Sequence, residues 1–297
     1  MSNKKQLSEE IKGVKDIRTL VETYQEIAAI RMQRVKTSVL KNREFLAELN
    51  EVYNHVKYSY EHEIKAIVKS KSKYNKRLKR APNNDTVLTK NGKGVAVLLS
   101  SNTGLYGDII RKTFQYFLEY VSTNDVDIVI IGKVGQQLFK DLGPDKEFKP
   151  YTISDSAVLA EDLVDITLQL LSYNDIKVFH GKFSTVLTQL PTKSSIPGDI
   201  VRAEDANKVD IRYIFEPSLE EVLVFFETEI LATIFEQTVH ESNLSKFASR
   251  MISLDAAVVS IGNQVHKLKF QEQMAKHREF NKRQLGAISG ISLWGGK

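Results

Sequence analysis

The 297-residue sequence predicts an α/β fold, in which the N- and C-terminal helices form a long antiparallel coiled coil around a central α/β domain. Three observations carry that expectation. All six prolines (Pro82, Pro144, Pro150, Pro191, Pro197 and Pro217) fall between 82 and 217. Glycine follows them, with only Gly13 before Gly92 and only Gly262 between Pro217 and Gly286. Both flanks therefore lack the residues that interrupt helices. Apolar residues recur at three-four spacing in each flank, and the middle alternates short apolar runs with helical ones. The chain divides accordingly into an N-terminal helix over 1–68, a basic linker over 69–92, a central domain over 93–216, and a C-terminal helix and tip over 217–297.

In the first flank the stripe is Val14, Ile17, Val21, Tyr24, Ala28, Met32, Val35 and Val39. In the last it is Phe247, Met251, Leu254, Val258, Ile261, Val265 and Leu268, with Ala275 continuing it. Stripes of matched period at opposite ends of a chain fit one antiparallel coiled coil. A helix from 8 to 58 is roughly 75 Å long, and one from 218 to 286 roughly 100 Å. The longer must run past the shorter. Simple burial in a helix bundle would also produce such stripes, but globular helices average only ~11–12 residues.

Between the flanks, GVAVLLS at 94–100 and VDIVIIG at 126–132 read as buried strands. Helical segments follow them, IIRKTFQYFLEYV and QQLFKDL. Residues 158–171 read as a helix leading into DIKVFHGKFS, then a strand-like VLTQLP at 186–191. A last strand, VDIRYIFE at 209–216, ends at Pro217, placed at the first position of the following helix. This alternation predicts a Rossmann-like sheet with helices on its faces.

Hydrophobic residues make up 42% and charged residues 27%, as in ordinary globular chains. No apolar run approaches the ~18 residues of a membrane span, and MSNKKQLSEE lacks the apolar core of a secretory signal. With no Cys, disulfides, thiol catalysis and Cys-bound metals are excluded, which points to a reducing compartment. Net charge is uneven. Residues 1–82 carry 19 Lys+Arg and 10 Asp+Glu, residues 83–262 carry 16 and 25, and residues 263–297 carry 7 and 2. Basic ends fit a negatively charged partner, either nucleic acid or an acidic protein surface.

Motifs for chemistry are missing. GKVGQQLF lacks the arrangement of a P-loop, no G-x-G-x-x-G occurs, and six His show no metal spacing. His62 between Glu61 and Glu63 points away from both on a helix. The basic run Lys69–Arg80 contains Tyr74 but no aromatic platform for RNA; a solvated linker explains it as well. A coiled-coil adaptor or nucleic-acid-binding protein using its basic ends remains the alternative on composition alone.

Several segments together carry a family resemblance. LSEEIKGVKDIRTLVETYQEIAAIRMQR, with Ile11, Val14, Ala28, Ala29, Arg31 and Met32, resembles the N-terminal helix of the gamma subunit of F-type ATP synthases. LLSSNTGLYGDI is similar to that family's S-T/S-D-R-G-L-C-G-G, keeping Ser101, Gly104, Leu105 and Gly107. VIIGKVGQQLF, VFHGKFSTVLTQLP, YIFEPSLEEVL and SKFASRMISLDAA resemble further family segments, in order along nearly the whole chain. There are departures. Asn102-Thr103 replace Asp-Arg, Tyr106 replaces Cys, and Lys246 replaces Glu. Lys276, His277, Phe280, Asn281 and Arg283 stand in the eroded C-terminal signature.

The resemblance implies a central rotor shaft without catalytic residues or cofactors of its own. ATP, ADP and Mg would be held by partner subunits. Implied partners are three alpha and three beta subunits, an epsilon subunit and the membrane ring of c subunits, and no nucleic acid. The implied place is peripheral, at the cytoplasmic face of the cell membrane. Carried over by motif, Arg250 would contact the beta subunit, and Tyr213 and Glu216 would contact the rotor ring. The tail LGAISGISLW, with Trp294, would turn in the upper bearing.

Overall fold

The computed structural model describes residues 2–60, 63, 64, 67, 91–155, 158, 160–196 and 214–294. In chain order these form α1 (Ser2–Ser59), β1 (Gly94–Leu99), α2 (Ile109–Thr123), β2 (Asp127–Ile131), α3 (Lys133–Leu142) and β3 (Lys149–Tyr151). There follow α4 (Ala160–Leu170), β4 (Asp175–Phe183), β5 (Gln189–Ile196) and α5 (Leu219–Trp294). Two compact units result: residues 1–29 with 251–297, and residues 30–250. The linker region 69–90 and positions 209–213 of the expected last strand lie outside the described residues.

The larger unit is built on a five-stranded sheet of order β3-β2-β1-β4-β5, parallel except for the antiparallel pair β4–β5. β1 lies in the middle, with Val97 opposite Val129 on one side and Val178 on the other. Both sheet faces are covered, which is why GVAVLL reads as an unbroken apolar run. Val95, Val97, Leu99, Val129 and Val178 point to one face. Leu163, Ile166 and Leu170 of α4 pack there with Leu231, Phe235 and Val239 of α5. Ala96, Leu98, Ile128, Ile130 and Phe179 point to the other, under Phe114, Phe117 and Val121 of α2 and Phe139 of α3.

Within this unit α1 runs antiparallel to α5. Arg31 stacks over Phe247 at 6.0 Å, Arg43 faces Glu241 at 4.0 Å, and the Tyr53 hydroxyl donates to Glu227 at 3.4 Å. Tyr53 and Val56 bury themselves against Leu223 and Ile230. In the smaller unit, α1 contributes Ile11 and Ala28 as buried positions, and α5 contributes Leu254, Val265 and Leu268.

The structure corrects several local expectations. Ile17 and Tyr24, expected in the seam, are 54% and 41% exposed. Gln25, half-buried one turn before Ala28, donates its amide to the exposed Asp255 at 3.2 Å. Against the spans 8–58 and 218–286, α1 starts earlier, at Ser2, and α5 ends later, at Trp294, giving 58 and 76 residues. Pro217 is not the first helical residue. The hydroxyl of Ser218 accepts the amide of Glu221 at 3.3 Å, and α5 begins at Leu219; Ser-Leu-Glu-Glu is an S-x-x-E cap. Residues 214–216 form no strand. β5 starts only at Gln189 and continues through Ile196, because residues 185–188 close a turn in which the Thr188 amide donates to the Thr185 carbonyl at 3.2 Å. β3, a three-residue edge strand holding Pro150, was not expected; proline is tolerated at an edge.

Candidate functional site

The loop after β1, residues 100–108, holds three of the departures from the family the chain resembles, Asn102, Thr103 and Tyr106. Its backbone is tightly held. Asp155 accepts from the amides of Asn102 and Thr103 at 2.9 and 3.1 Å, and from the Thr103 hydroxyl at 3.2 Å. The Asn102 side chain donates to the Ile153 carbonyl at 2.6 Å, and its oxygen accepts from the Lys133 amide at 3.3 Å. Gly132, with φ of 105°, lets the chain pass close: a Cβ there would stand 2.7 Å from the Ser101 nitrogen.

Leu105 has φ of 68° and Gly107 φ of 64°. These two left-handed residues bracket Tyr106. They turn its ring inward while the Leu105 side chain stays 66% exposed. Tyr106 is 3% exposed and meets the Phe247 ring edge-on at 6.0 Å. Burial raises its phenol pKa, helped by the Asp155 charge.

α5 closes over this loop. The Lys246 ammonium donates to the Ser100 carbonyl at 2.9 Å and lies 3.9 Å from Asp155. Burial lowers its pKa to about 8, and the Asp155 carboxylate works against that fall. One turn on, Arg250 is half-buried, with its guanidinium carbon 4.9 Å from the Tyr106 ring centroid. Ser245 approaches β4 so closely that a Cβ on Gly181 would stand 2.6 Å from its hydroxyl oxygen.

This arrangement fills the place where an open α/β sheet takes a ligand. Such sheets bind ligands beyond the carboxyl ends of the strands, where the strand order reverses. Here that reversal lies between β1 and β4, and Lys246 sits on the carbonyl that follows β1. A small cavity beside it is lined by Ser100, Gly132, Asp155, Ser242, Asn243 and Lys246. A buried ammonium, its carboxylate and a captured carbonyl make a joint between helix and sheet. Among the described residues no group of three His, Asp or Glu is placed to hold a metal ion.

Of the residues expected at partner contacts, Arg250 lies in this joint. Glu216 is exposed just ahead of α5, and Tyr213 lies outside the described residues. Arg250 stands 31 residues past Leu219, so about 46 Å of helix separates it from the start of α5. Arg250 and Glu216 therefore belong to separate surfaces. Lys246, Asn102, Thr103 and Tyr106 stood out in the sequence only as departures, and the structure gathers them in one place. Asp155, which ties them together, carried no signal in the sequence.

A family model described as ATP synthase matches residues 3–279. A gamma chain of ATP synthase from Ruthia magnifica is 23% identical over 304 residues, covering 98% of this chain and 99% of that one. The corresponding chain of Mesoplasma florum is 26% identical over 285 residues, covering 94% and 92%. Among solved structures, a central stalk and c-ring of the Tetrahymena thermophila mitochondrial ATP synthase aligns with a TM-score of 0.57 at 16% identity, covering 80% of this chain and 99% of that one. A rotor of the Euglena gracilis mitochondrial ATP synthase aligns with a TM-score of 0.57 at 11% identity, covering 94% and 99%. These two are likenesses of fold.

Proposed function

The chain belongs to the gamma-chain family of ATP synthases and is the central rotor shaft of such a machine, and we propose that it turns inside a ring of three alpha and three beta subunits. In this reading the nucleotides and Mg lie in those subunits. The α/β body meets an epsilon subunit and a ring of c subunits, through Glu216 and Tyr213 on the body side. The whole is peripheral, at the cytoplasmic face of the membrane. No helix among the described residues is long and apolar enough to cross a membrane.

One observation supports the bore above all. On α5 the seam positions are buried as far as Leu268 and half-covered as far as Glu279, and the helix runs on to Trp294. Along that extension Phe280, Leu285 and Ile288 are 58%, 65% and 63% exposed. Apolar side chains on a basic helix end need a partner's wall around them. The asymmetric coil would present a different side to each beta subunit, shifting that subunit's nucleotide affinity as the shaft turns. Lys and Arg along the coil would ease its passage by acidic levers, and Arg250 would make the contact with beta.

The test is to capture the tagged chain from its native membranes and measure stoichiometry and ATPase activity. One copy with three alpha-like and three beta-like chains is expected; the chain alone, or with nucleic acid, would overturn the reading. For the residue-level part, Arg250→Ala lowers ATP turnover by the assembled complex. Unchanged turnover would remove Arg250 from the beta contact.

A further inference from the structure

The strain in the Tyr106 loop does nothing for the residue that bears it. A left-handed leucine is unfavourable for an L residue, and Leu105 points its side chain into solvent. What the strain achieves is the placement of the next ring. Tyr106 is fixed on three sides: by Leu105 and Gly107 along the backbone, by Phe247 at its edge, and by the Asp155 grip on Asn102 and Thr103.

We propose that Tyr106 is a positioning residue, whose buried ring holds the Arg250 guanidinium in the orientation that meets the beta subunit. The inference rests on the reading that Arg250 makes that contact. A cation within ~6 Å of a ring centroid is attracted by the ring's negative face, and Arg250 lies at 4.9 Å. Lys246 lies 6.0 Å from the same ring but is held by Ser100 and Asp155, which leaves the nearer place to Arg250. A long arginine normally loses rotamer freedom when it engages a partner. Stacked on a fixed ring it has lost much of it beforehand, and preorganisation of this kind strengthens contacts without adding any.

The experiment is a double-mutant cycle in the assembled complex, read as kcat at saturating ATP, with the Tm of each preparation measured alongside. Tyr106→Leu lowers kcat about fivefold, the order expected for a partly desolvated cation–ring contact. Tyr106→Phe, which keeps the ring, restores most of that loss. In the Arg250→Ala background Tyr106→Leu costs nothing more, although its effect on Tm persists. Equal losses of kcat in both backgrounds would overturn the proposal, since Tyr106 would then act through general stability. An impaired Arg250→Ala beside an unaffected Tyr106→Leu would overturn it too and leave the Arg250 contact standing. An unaffected Arg250→Ala would instead remove the contact itself. If Tyr106→Leu does not assemble, Tyr106→Met, apolar and ringless, replaces it in the same cycle.

Discussion

His180 makes the stability of the α/β body depend on pH, in a direction and window set by its burial. The imidazole is 1% exposed on β4. Its Nδ1 faces the Gly181 carbonyl at 3.2 Å, and Nε2 lies 2.9 Å from the Ser194 hydroxyl. A carbonyl can only accept, so the neutral ring carries its proton on Nδ1 and takes the serine hydrogen at Nε2. Burial lowers its pKa from 6.5 to about 4; the Gly181 bond opposes that fall and the Lys182 charge adds to it. As pH drops below 6.5 the unfolded chain takes up a proton that the folded chain refuses. Stability is therefore lost between pH 6.5 and about 4. At about 1.36 kcal/mol per pH unit, the loss is roughly 2 kcal/mol by pH 5. That is a large part of the ~5–15 kcal/mol typical of folded proteins. The assay is urea unfolding of the full chain at pH 7, 6 and 5, with His180→Gln in parallel. The variant starts less stable at pH 7 but loses about 2 kcal/mol less on the way to pH 5. Glu236, whose pKa is lowered first by its hydrogen bond to His240, titrates in both proteins and cancels in the difference. Parallel pH profiles for the two proteins would refute the reasoning.

Two further substitutions probe how α5 is seated on the sheet. Phe235→Ala empties a fully buried place between α5 and the sheet and is expected to cost about 3–5 kcal/mol in urea unfolding; a cost below about 1 kcal/mol would mean that the site collapses freely. Gly181→Ala puts a methyl 2.6 Å from the Ser245 hydroxyl and 2.8 Å from Ile109, for a loss of about 1–3 kcal/mol. Adding Ser245→Ala removes the nearer atom and recovers part of the loss in the same assay.

The long helices were legible because nothing in 14–59 or 219–285 breaks a helix apart from Gly262. β1 and β2 were legible because strands buried on both faces leave no polar alternation to confuse them. β3 was not, since three residues at a sheet edge bury too little to leave a pattern. The seam was misread at Ile17 and Tyr24 for a related reason. Apolarity marks candidates, but the facing helix decides which are covered, and the half-buried Gln25 pairs with Asp255, 230 positions away. Ser218 could have been recognised as the cap from its S-x-x-E spacing, but the neighbouring proline drew the boundary instead. At the joint, Lys246 and Tyr106 were visible only as odd substitutions. Their common partner Asp155 lies 53 residues beyond Asn102, and no local rule links such positions.

The ammonium lodged on the carbonyl after β1 also bears on regulation. In related sheet architectures that crevice is where a protein registers the concentration of a small molecule. Here, among the described residues, a ligand seated on that carbonyl would have to displace the Lys246 ammonium from Ser100 and Asp155. That crevice is occupied by one of the protein's own side chains, so force applied to α5 is felt directly at Ser100 and Asp155.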